Sequence, residues 1–269
     1  MEKYVEHFTT GNVNDHKDAS RLWIKDVNPV VEVVVNKLSN AFVSSGVRAE
    51  FEGFVAAVKK ETSKNFAHLV SKAEEILQRL TWGKAYEKDT FLKPDFTALD
   101  LIAYGVSGVA VGINIPNYND IRQNEGFKNV SLSNSLSAQP KQRINFISEE
   151  DENLIFEYNE RAFEVQIGLH EDMAVERCSR LQKNANGSFN FDQENTVDIL
   201  TGEKITSWYQ PGETWAGLFG QACCSYEECK AEAVGFVLCG DDDILKIFGY
   251  EGVLAENIIH SNWLSSILK

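Results

Sequence analysis

Basic side chains are scarce in this chain. Its 269 residues include 26 Lys and Arg against 40 Asp and Glu, which gives a formal net charge of -14 at pH 7. Surfaces that bind nucleic acid or anionic membranes need concentrated Lys and Arg, so we expect neither kind of partner. No run of about 18 apolar residues is present, so the sequence predicts no membrane-spanning helix.

Signals of secretion and of disulfide bonding are also missing. The first ten residues are charged and aromatic and contain no apolar stretch of the kind found in signal peptides. The five cysteines are odd in number and none follow Cys-x-x-Cys spacing, so a cysteine-based zinc site has no support. We therefore expect a cytoplasmic protein with reduced thiols.

Local patterns predict both helices and strands. Apolar residues recur at three- and four-residue spacing within residues 51–80, which predicts a helix. Residues 106–118 are rich in Val, Ile and Gly, which is typical of a strand followed by a loop. Residues 214–249 predict mostly helix, and the three aspartates at 241–243 predict the N-terminal cap of a helix that begins at Ile244.

One pair of residues points to metal chemistry. His170 and Glu171 end an apolar stretch, residues 163–171, that is compatible with a strand or with a buried helix. Glu228 lies much later in the sequence, within a predicted helix. In one-zinc peptidases two imidazoles and a carboxylate hold the metal, and a further Glu transfers protons. The second His is missing, because the next His after His170 is His260.

Seven short segments identify a family. They are Asp-Phe-Thr at 95–97, Gly-Ile-Asn-Ile-Pro-Asn-Tyr at 112–118, Glu-Gly-Phe-Lys-Asn-Val-Ser-Leu at 125–132, Phe-Asn-Phe-Asp-Gln at 189–193, Ser-Trp-Tyr at 207–209, Gly-Glu-Thr-Trp at 212–215 and Ser-Tyr-Glu-Glu-Cys at 225–229. Together they resemble the dipeptidyl peptidase III family of cytosolic zinc exopeptidases, over nearly the whole chain. The family enzyme is longer, so we expect this chain to be a fragment, its central third.

The resemblance assigns roles to the charged residues of the site. In the family the zinc motif is His-Glu-Leu-Leu-Gly-His. By resemblance His170 and Glu228 are zinc ligands, with one zinc ion per chain, and Glu171 is the general base. Glu227 and Glu232 are implied to lie in the shell around the metal.

The residues that should complete the motif depart from the family. The expected second His falls on Val175, whose side chain has no lone pair, and residues 172–180 share nothing with the family. Permitted codons for residues 172–179, read one base out of frame, give Gly-His-Gly-Ser-Gly-Lys-Met-Leu. We interpret the block as a frame shift, a mis-splicing event or a faulty gene model, and expect no measurable dipeptide release. The alternative is a pseudoenzyme that binds peptides or a partner protein without metal.

Three further residues are implied to bind an oligopeptide substrate: Glu52, Asn114 and Asn117. Asparagine amides both donate and accept hydrogen bonds, which suits a peptide docked as an extended strand. The alternative is that the two asparagines bond their own loop around Pro116. Residues 33–45 depart from the family, and with them an acidic and an aromatic substrate contact are lost.

The resemblance also implies an α+β fold in two lobes that face each other across a cleft. Residues 59–97 and 144–269 would belong to a mainly helical upper lobe that carries the zinc motif. Residues 1–58 and 98–143 would belong to a mixed lower lobe that contains a β-barrel, and both lobes would be incomplete. By resemblance the protein acts on oligopeptides as a monomer.

Overall fold

The computed structural model describes most of the chain. The described ranges are residues 12–25, 32–43, 46–80, 95–105, 111–115, 118–132, 134–137, 143–171 and 181–267. Within them, no helix is both long enough and apolar enough to cross a membrane.

Helices predominate in the second half of the chain, and the strands lie in the first half. The helices are α1 (Val13–Lys25), α2 (Lys60–Leu77), α3 (Asn119–Asn124), α4 (Asn134–Ser137), α5 (Glu149–Leu169), α6 (Trp215–Phe219), α7 (Ala222–Cys239), α8 (Asp242–Ile247) and α9 (Val253–Ile267). The strands are β1 (Glu32–Val43), β2 (Gly46–Val58), β3 (Asp95–Gly105), β4 (Gly112–Ile115) and β5 (Lys128–Ser131).

The strands form one mixed sheet in the order β1-β2-β3-β5-β4. β2 pairs antiparallel with β1 and β3, β3 pairs parallel with β5, and β5 pairs antiparallel with β4. The α+β class is therefore confirmed. A barrel would need its two edge strands to pair, whereas β1 and β4 are the two ends of this order. The sheet in the described part of the chain is thus open, and the expected barrel is not found there.

The helix predicted for residues 51–80 is wrong over its first eight residues. Residues 51–58 belong to β2, and α2 begins at Lys60. Val and Ala at the end of β2 fit a helix or a strand equally, and pairing with strands on both sides decides between them. The strand alternative for residues 163–171 is also wrong, because α5 runs through them to Leu169.

Side-chain caps mark the starts of α5 and α8. The Ser148 hydroxyl accepts a hydrogen bond from the backbone N–H of Asp151 at 3.0 Å, and four acidic residues follow in the first turn of α5. Negative charge at that end stabilises the helix dipole. The carboxylate of Asp241 accepts from the backbone N–H of Asp243 at 2.9 Å at the start of α8. The predicted cap is confirmed, but the helix begins at Asp242 and not at Ile244, because Asp241 alone is the capping residue and the next two aspartates lie in the first turn.

The apolar stripe of α2 is central to the helical core. Phe66 is fully buried, its ring stacks on Phe96 with centroids 4.1 Å apart, and Phe248 meets it edge-on at 5.9 Å. Gly168 of α5 packs on the same ring, because a Cβ added there would lie 2.8 Å from Phe66 Cε1. α5 therefore approaches α2 closely just before its C-terminal end.

Glu164 is a buried carboxyl in this core, and it predicts a pH dependence of stability. It is 7% exposed, and its nearest cation, Lys59 Nζ, lies 3.6 Å away. Desolvation raises the pKa of Glu164 above its usual 4.5, against the attraction of Lys59. The folded state then binds a proton more readily than the unfolded state, so the charged carboxylate at pH 7 costs stability.

We expect Glu164→Gln to raise the free energy of unfolding at pH 7. The advantage of the variant should shrink as the pH falls towards 4.5, because the wild-type carboxyl then takes up its proton. Urea unfolding at pH 7 and pH 5 measures both effects. The control is Glu157→Gln, the same change at an exposed position of α5. A Glu164→Gln variant that is less stable at pH 7, or whose advantage grows on acidification, would contradict the prediction.

Candidate active site

His170 and Glu171 lie at the C-terminal end of α5. The helix widens into a π-type turn at these two residues, a feature that is frequent at functional sites. The backbone N–H of His170 bonds to the carbonyls of Gln166 and Ile167. Leu169 is fully buried in the core, while the His170 side chain keeps 16% of its surface exposed. The core therefore fixes the helix end and leaves the imidazole accessible.

The side chains of His170 and Glu228 converge. Nε2 of His170 lies 3.5 Å from Oε2 of Glu228, which projects from α7 with 74% of its side chain exposed. Two ligand atoms bound to one tetrahedral zinc ion at about 2.0–2.1 Å stand about 3.3 Å apart. The observed separation therefore fits two ligands of a single zinc ion.

The other two acidic residues of interest on α7 have different surroundings. Oε1 of Glu232 lies 3.8 Å from Nδ1 of His170, so the two ring nitrogens face two different carboxylates. Glu227 forms an ion pair with Lys230, one turn further along the helix. A carboxylate beside the second nitrogen of a His ligand sets the orientation of the ring, and Glu232 is placed to do so.

The side chain of Glu171 is half-buried and lies against β4. Desolvation raises the pKa of Glu171, while His170 and a hydrogen bond from Asn114 oppose the shift. A Cβ added at Gly112 would lie 2.8 Å from Oε1 of Glu171, so the absence of a side chain at Gly112 makes room for the carboxyl. A carboxyl with a raised pKa is suited to general acid–base chemistry near neutral pH.

A group of amides holds the backbone at Glu171. Nδ2 of Asn129 donates to the backbone carbonyl of Glu171 at 3.0 Å, and Nδ2 of Asn114 donates to Oδ1 of Asn129 at 2.7 Å. Arg122 donates to Oδ1 of Asn114. The described partners of Asn114 lie on β5, on α3 and at the end of α5. The sheet is thereby joined to the end of α5.

Sequence reasoning misses three residues of this region: Gln166, Asn129 and Asn262. Gln166 precedes His170 by four residues, which places both on one face of α5, so helical spacing would have found it. Asn129 lies inside a segment that carries the family resemblance. Nothing local marks Asn262, because its partner Gln166 is 96 residues away in the chain.

Part of the predicted site lies outside the described residues. Asn117 and residues 172–180, which include Val175, lie there, as does the side chain of Glu52, whose backbone pairs with Lys37 in β1. In the described ranges no group of three or more His, Cys, Asp or Glu side chains is arranged to hold a metal ion. The described side chains thus include two of the three residues that the resemblance implies as zinc ligands, His170 and Glu228.

Comparison with known proteins identifies relatives along the whole chain. The family model of peptidase family M49 matches residues 1–269. Dipeptidyl peptidase 3 of Nematostella vectensis is 51% identical over 99% of this chain, and that of Homo sapiens is 45% identical over 99% of it. The chain covers 37% of the length of each of these two relatives.

Solved structures show the same fold at low sequence identity. The structure of DPP III from Caldithrix abyssi matches with a TM-score of 0.61 and 17% identity, over 97% of this chain and 46% of that one. The structure of dipeptidyl-peptidase III from Corallococcus sp. strain EGB matches with a TM-score of 0.60 and 15% identity, over 98% and 45%. At this level of identity the likeness concerns the fold alone.

Proposed function

Since the chain belongs to peptidase family M49, we propose that His170, Glu171 and Glu228 belong to a zinc-dependent dipeptidyl-peptidase site. Such a site would release dipeptides from the amino end of oligopeptides, and the relatives carry the name dipeptidyl peptidase 3. The convergence of Nε2 of His170 and Oε2 of Glu228 to 3.5 Å carries the proposal. The membership of the chain in a peptidase family sets the reaction class.

Each residue of the proposed site has a distinct task. His170 and Glu228 would hold the zinc ion, with Glu232 beside the second ring nitrogen of His170. A bound zinc ion polarises a peptide carbonyl and lowers the pKa of a water molecule. The Glu171 carboxylate would accept the proton of the attacking water and return it to the leaving amine, and its raised pKa makes it a stronger base for the first of these transfers.

We assign the substrate contacts to Glu52, Asn114 and Asn117. Glu52 would hold the free amino terminus, and the two asparagines would hold the extended peptide backbone, so that cleavage falls after the second residue. Asn114 supports this placement, because its amide already bonds to the backbone carbonyl of Glu171 at 3.5 Å. A peptide held by Asn114 would therefore lie next to the general base.

The two-lobe division is part of the proposal. One hydrophobic cluster lies among α2, α5, α7, α8 and α9, and a second, smaller cluster lies in the sheet region at Ala56, Leu99, Ile113, Val130 and Leu132. The small cluster falls within residues 1–58 and 98–143, the proposed lower lobe. Nearly all of the large cluster falls within residues 59–97 and 144–269, the proposed upper lobe. We propose a monomeric cytoplasmic protein.

We propose that this chain is impaired as a peptidase. Val175 stands where the second imidazole is needed, and we attribute residues 172–180 to a frame shift, a mis-splicing event or a faulty gene model. Sequencing the transcript across these codons tests that origin, and a message that is in frame with homologous exons would contradict it. Robust zinc-dependent hydrolysis of a dipeptidyl arylamide by the purified chain would contradict the loss of activity.

Zinc binding by variants tests the ligand assignment. We expect one zinc ion per chain at saturation, and we expect His170→Ala and Glu228→Gln each to weaken binding at least tenfold, because a ligand is lost. Equilibrium dialysis gives the affinities. The control is Glu251→Gln, which makes the same change as Glu228→Gln at an exposed residue before α9. Equal zinc affinity in all four proteins would place the metal elsewhere and refute the assignment.

A further inference from the structure

A line of buried polar side chains crosses the helical core next to the candidate zinc ligands. Gln166 of α5 is 2% exposed and Asn262 of α9 is 7% exposed. The helices α5, α7 and α9 also contribute apolar side chains to the main hydrophobic cluster. Buried amides cost stability unless they are hydrogen-bonded, and both of these have partners.

The hydrogen bonds fix which way the Gln166 amide points. Nδ2 of Asn262 donates to Oε1 of Gln166 at 3.1 Å, so the carbonyl end of Gln166 faces α9. The amino end therefore faces α7, where Nε2 donates to Oε2 of Glu232 at 3.0 Å and to the backbone carbonyl of Glu232 at 3.2 Å. Asn262 thus selects the orientation in which Gln166 is a donor towards Glu232.

Packing leaves Gln166 little freedom to move away. Gly235 of α7 lies over its amide, and a Cβ added at Gly235 would come within 2.8 Å of the Gln166 amide carbon. A glycine at this point of α7 lets the two helices approach closely enough for the bonds to Glu232. The amide is therefore held by packing on one side and by hydrogen bonds at both ends.

The line ends at the imidazole of His170. Oε2 of Glu232 accepts the hydrogen bond from Nε2 of Gln166, and Oε1 of the same carboxylate faces Nδ1 of His170 at 3.8 Å. Nε2 of His170 then faces Glu228. Outer-shell partners of this kind orient a ligating ring and raise metal affinity about 10–100-fold.

We propose that Gln166 and Asn262 are positioning residues for His170. They hold Glu232 with one oxygen towards Nδ1, and this keeps Nε2 turned towards Glu228. The inference rests on the proposed function in one respect, namely that the orientation serves zinc binding. The orientation itself does not depend on a bound metal.

The test uses Gln166→Glu, which keeps the size of the side chain and removes the donor to Glu232. NMR of the imidazole Cε1–H groups reports on each His ring. We expect the His170 signal to shift in the metal-free variant while those of His68 and His260 stay unchanged, and we expect zinc to bind at least fivefold more weakly. The control Gln78→Glu makes the same change at an exposed position just after α2 and should alter neither.

Two further variants keep the test decisive. Asn262→Asp is nearly isosteric, removes the donor that orients Gln166, and should have the same effects even where Gln166→Glu does not fold. The double variant Gln166→Glu with Glu232→Gln restores a donor–acceptor pair between the two positions but places a neutral amide beside His170. We expect the double variant to regain the melting temperature that Gln166→Glu alone loses. We do not expect it to regain the His170 signal or the zinc affinity of the unmodified chain.

Several outcomes would overturn the inference. One is a lower melting temperature of the variants with an unchanged His170 signal and unchanged zinc affinity. That result would show that the two amides contribute to the stability of the core and do not position His170. Another is a joint shift of all three His signals, which would indicate general loosening of the core. If the unmodified chain binds no zinc, the proposed function fails, and the His170 signal still decides whether these residues position the ring.

Discussion

A chain in which Val175 is replaced by His is expected to bind zinc about a hundredfold more tightly than the unmodified chain. A complete protein zinc site contributes about 10–16 kcal/mol, so one ligand in four is worth about 3 kcal/mol, or about a hundredfold in Kd. His170 and Glu228 already stand at a separation that suits a shared ion. By the spacing of the family motif, position 175 supplies the missing imidazole.

Competition with a chromophoric chelator measures the two affinities. Val253→His is the matched control, because it adds the same imidazole at a residue that is 71% exposed at the start of α9. If Val175→His binds zinc no more tightly than Val253→His, position 175 does not reach the metal. The proposal that Val175 impairs the site would then be wrong.

Replacing Phe66 by Ala is expected to lower the free energy of unfolding by about 3–5 kcal/mol, the usual cost of removing a buried aromatic ring. Phe66 has no exposed surface, stacks on Phe96 and contacts Phe248. Gly168, two residues before His170, packs against the same ring. The cavity would therefore open between α2 and the helix that carries the candidate site.

Urea unfolding followed by circular dichroism measures this loss. Phe146→Ala removes the same ring from a position that is 75% exposed, and it should change stability by less than about 0.5 kcal/mol. A loss below about 1 kcal/mol for Phe66→Ala would show that α2 and α5 do not share the core described above.

Much of the helical half of the fold can be predicted from sequence, because its signals are local. The apolar spacing of α2 and the aspartate cap of α8 both depend on residues within one or two turns. β2 could not be distinguished from a helix in this way, because its Val and Ala residues suit both structures. The pairing partners that decide the matter, β1 and β3, are separate segments of the chain.

The candidate site shows the same division. The His-Glu pair at 170 and 171 and the distant Glu228 can be read from the sequence, and the family resemblance assigns their roles. The residues that surround them could not be predicted from local pattern, because their bonds join distant segments. Asn129 reaches Glu171 across 42 residues, and Asn262 reaches Gln166 across 96. A buried amide and an exposed one look alike in sequence, and only the packed structure separates them.

The central claim is that the side chains of His170 and Glu228 bind one and the same zinc ion. A crystal soaked in zinc, with anomalous diffraction recorded at the zinc edge, tests it most directly. We predict one peak at bonding distance, about 2.0–2.2 Å, from Nε2 of His170 and from a carboxylate oxygen of Glu228. A fully occupied zinc ion bound elsewhere, or the absence of any peak between these two side chains at saturating zinc, would contradict the claim.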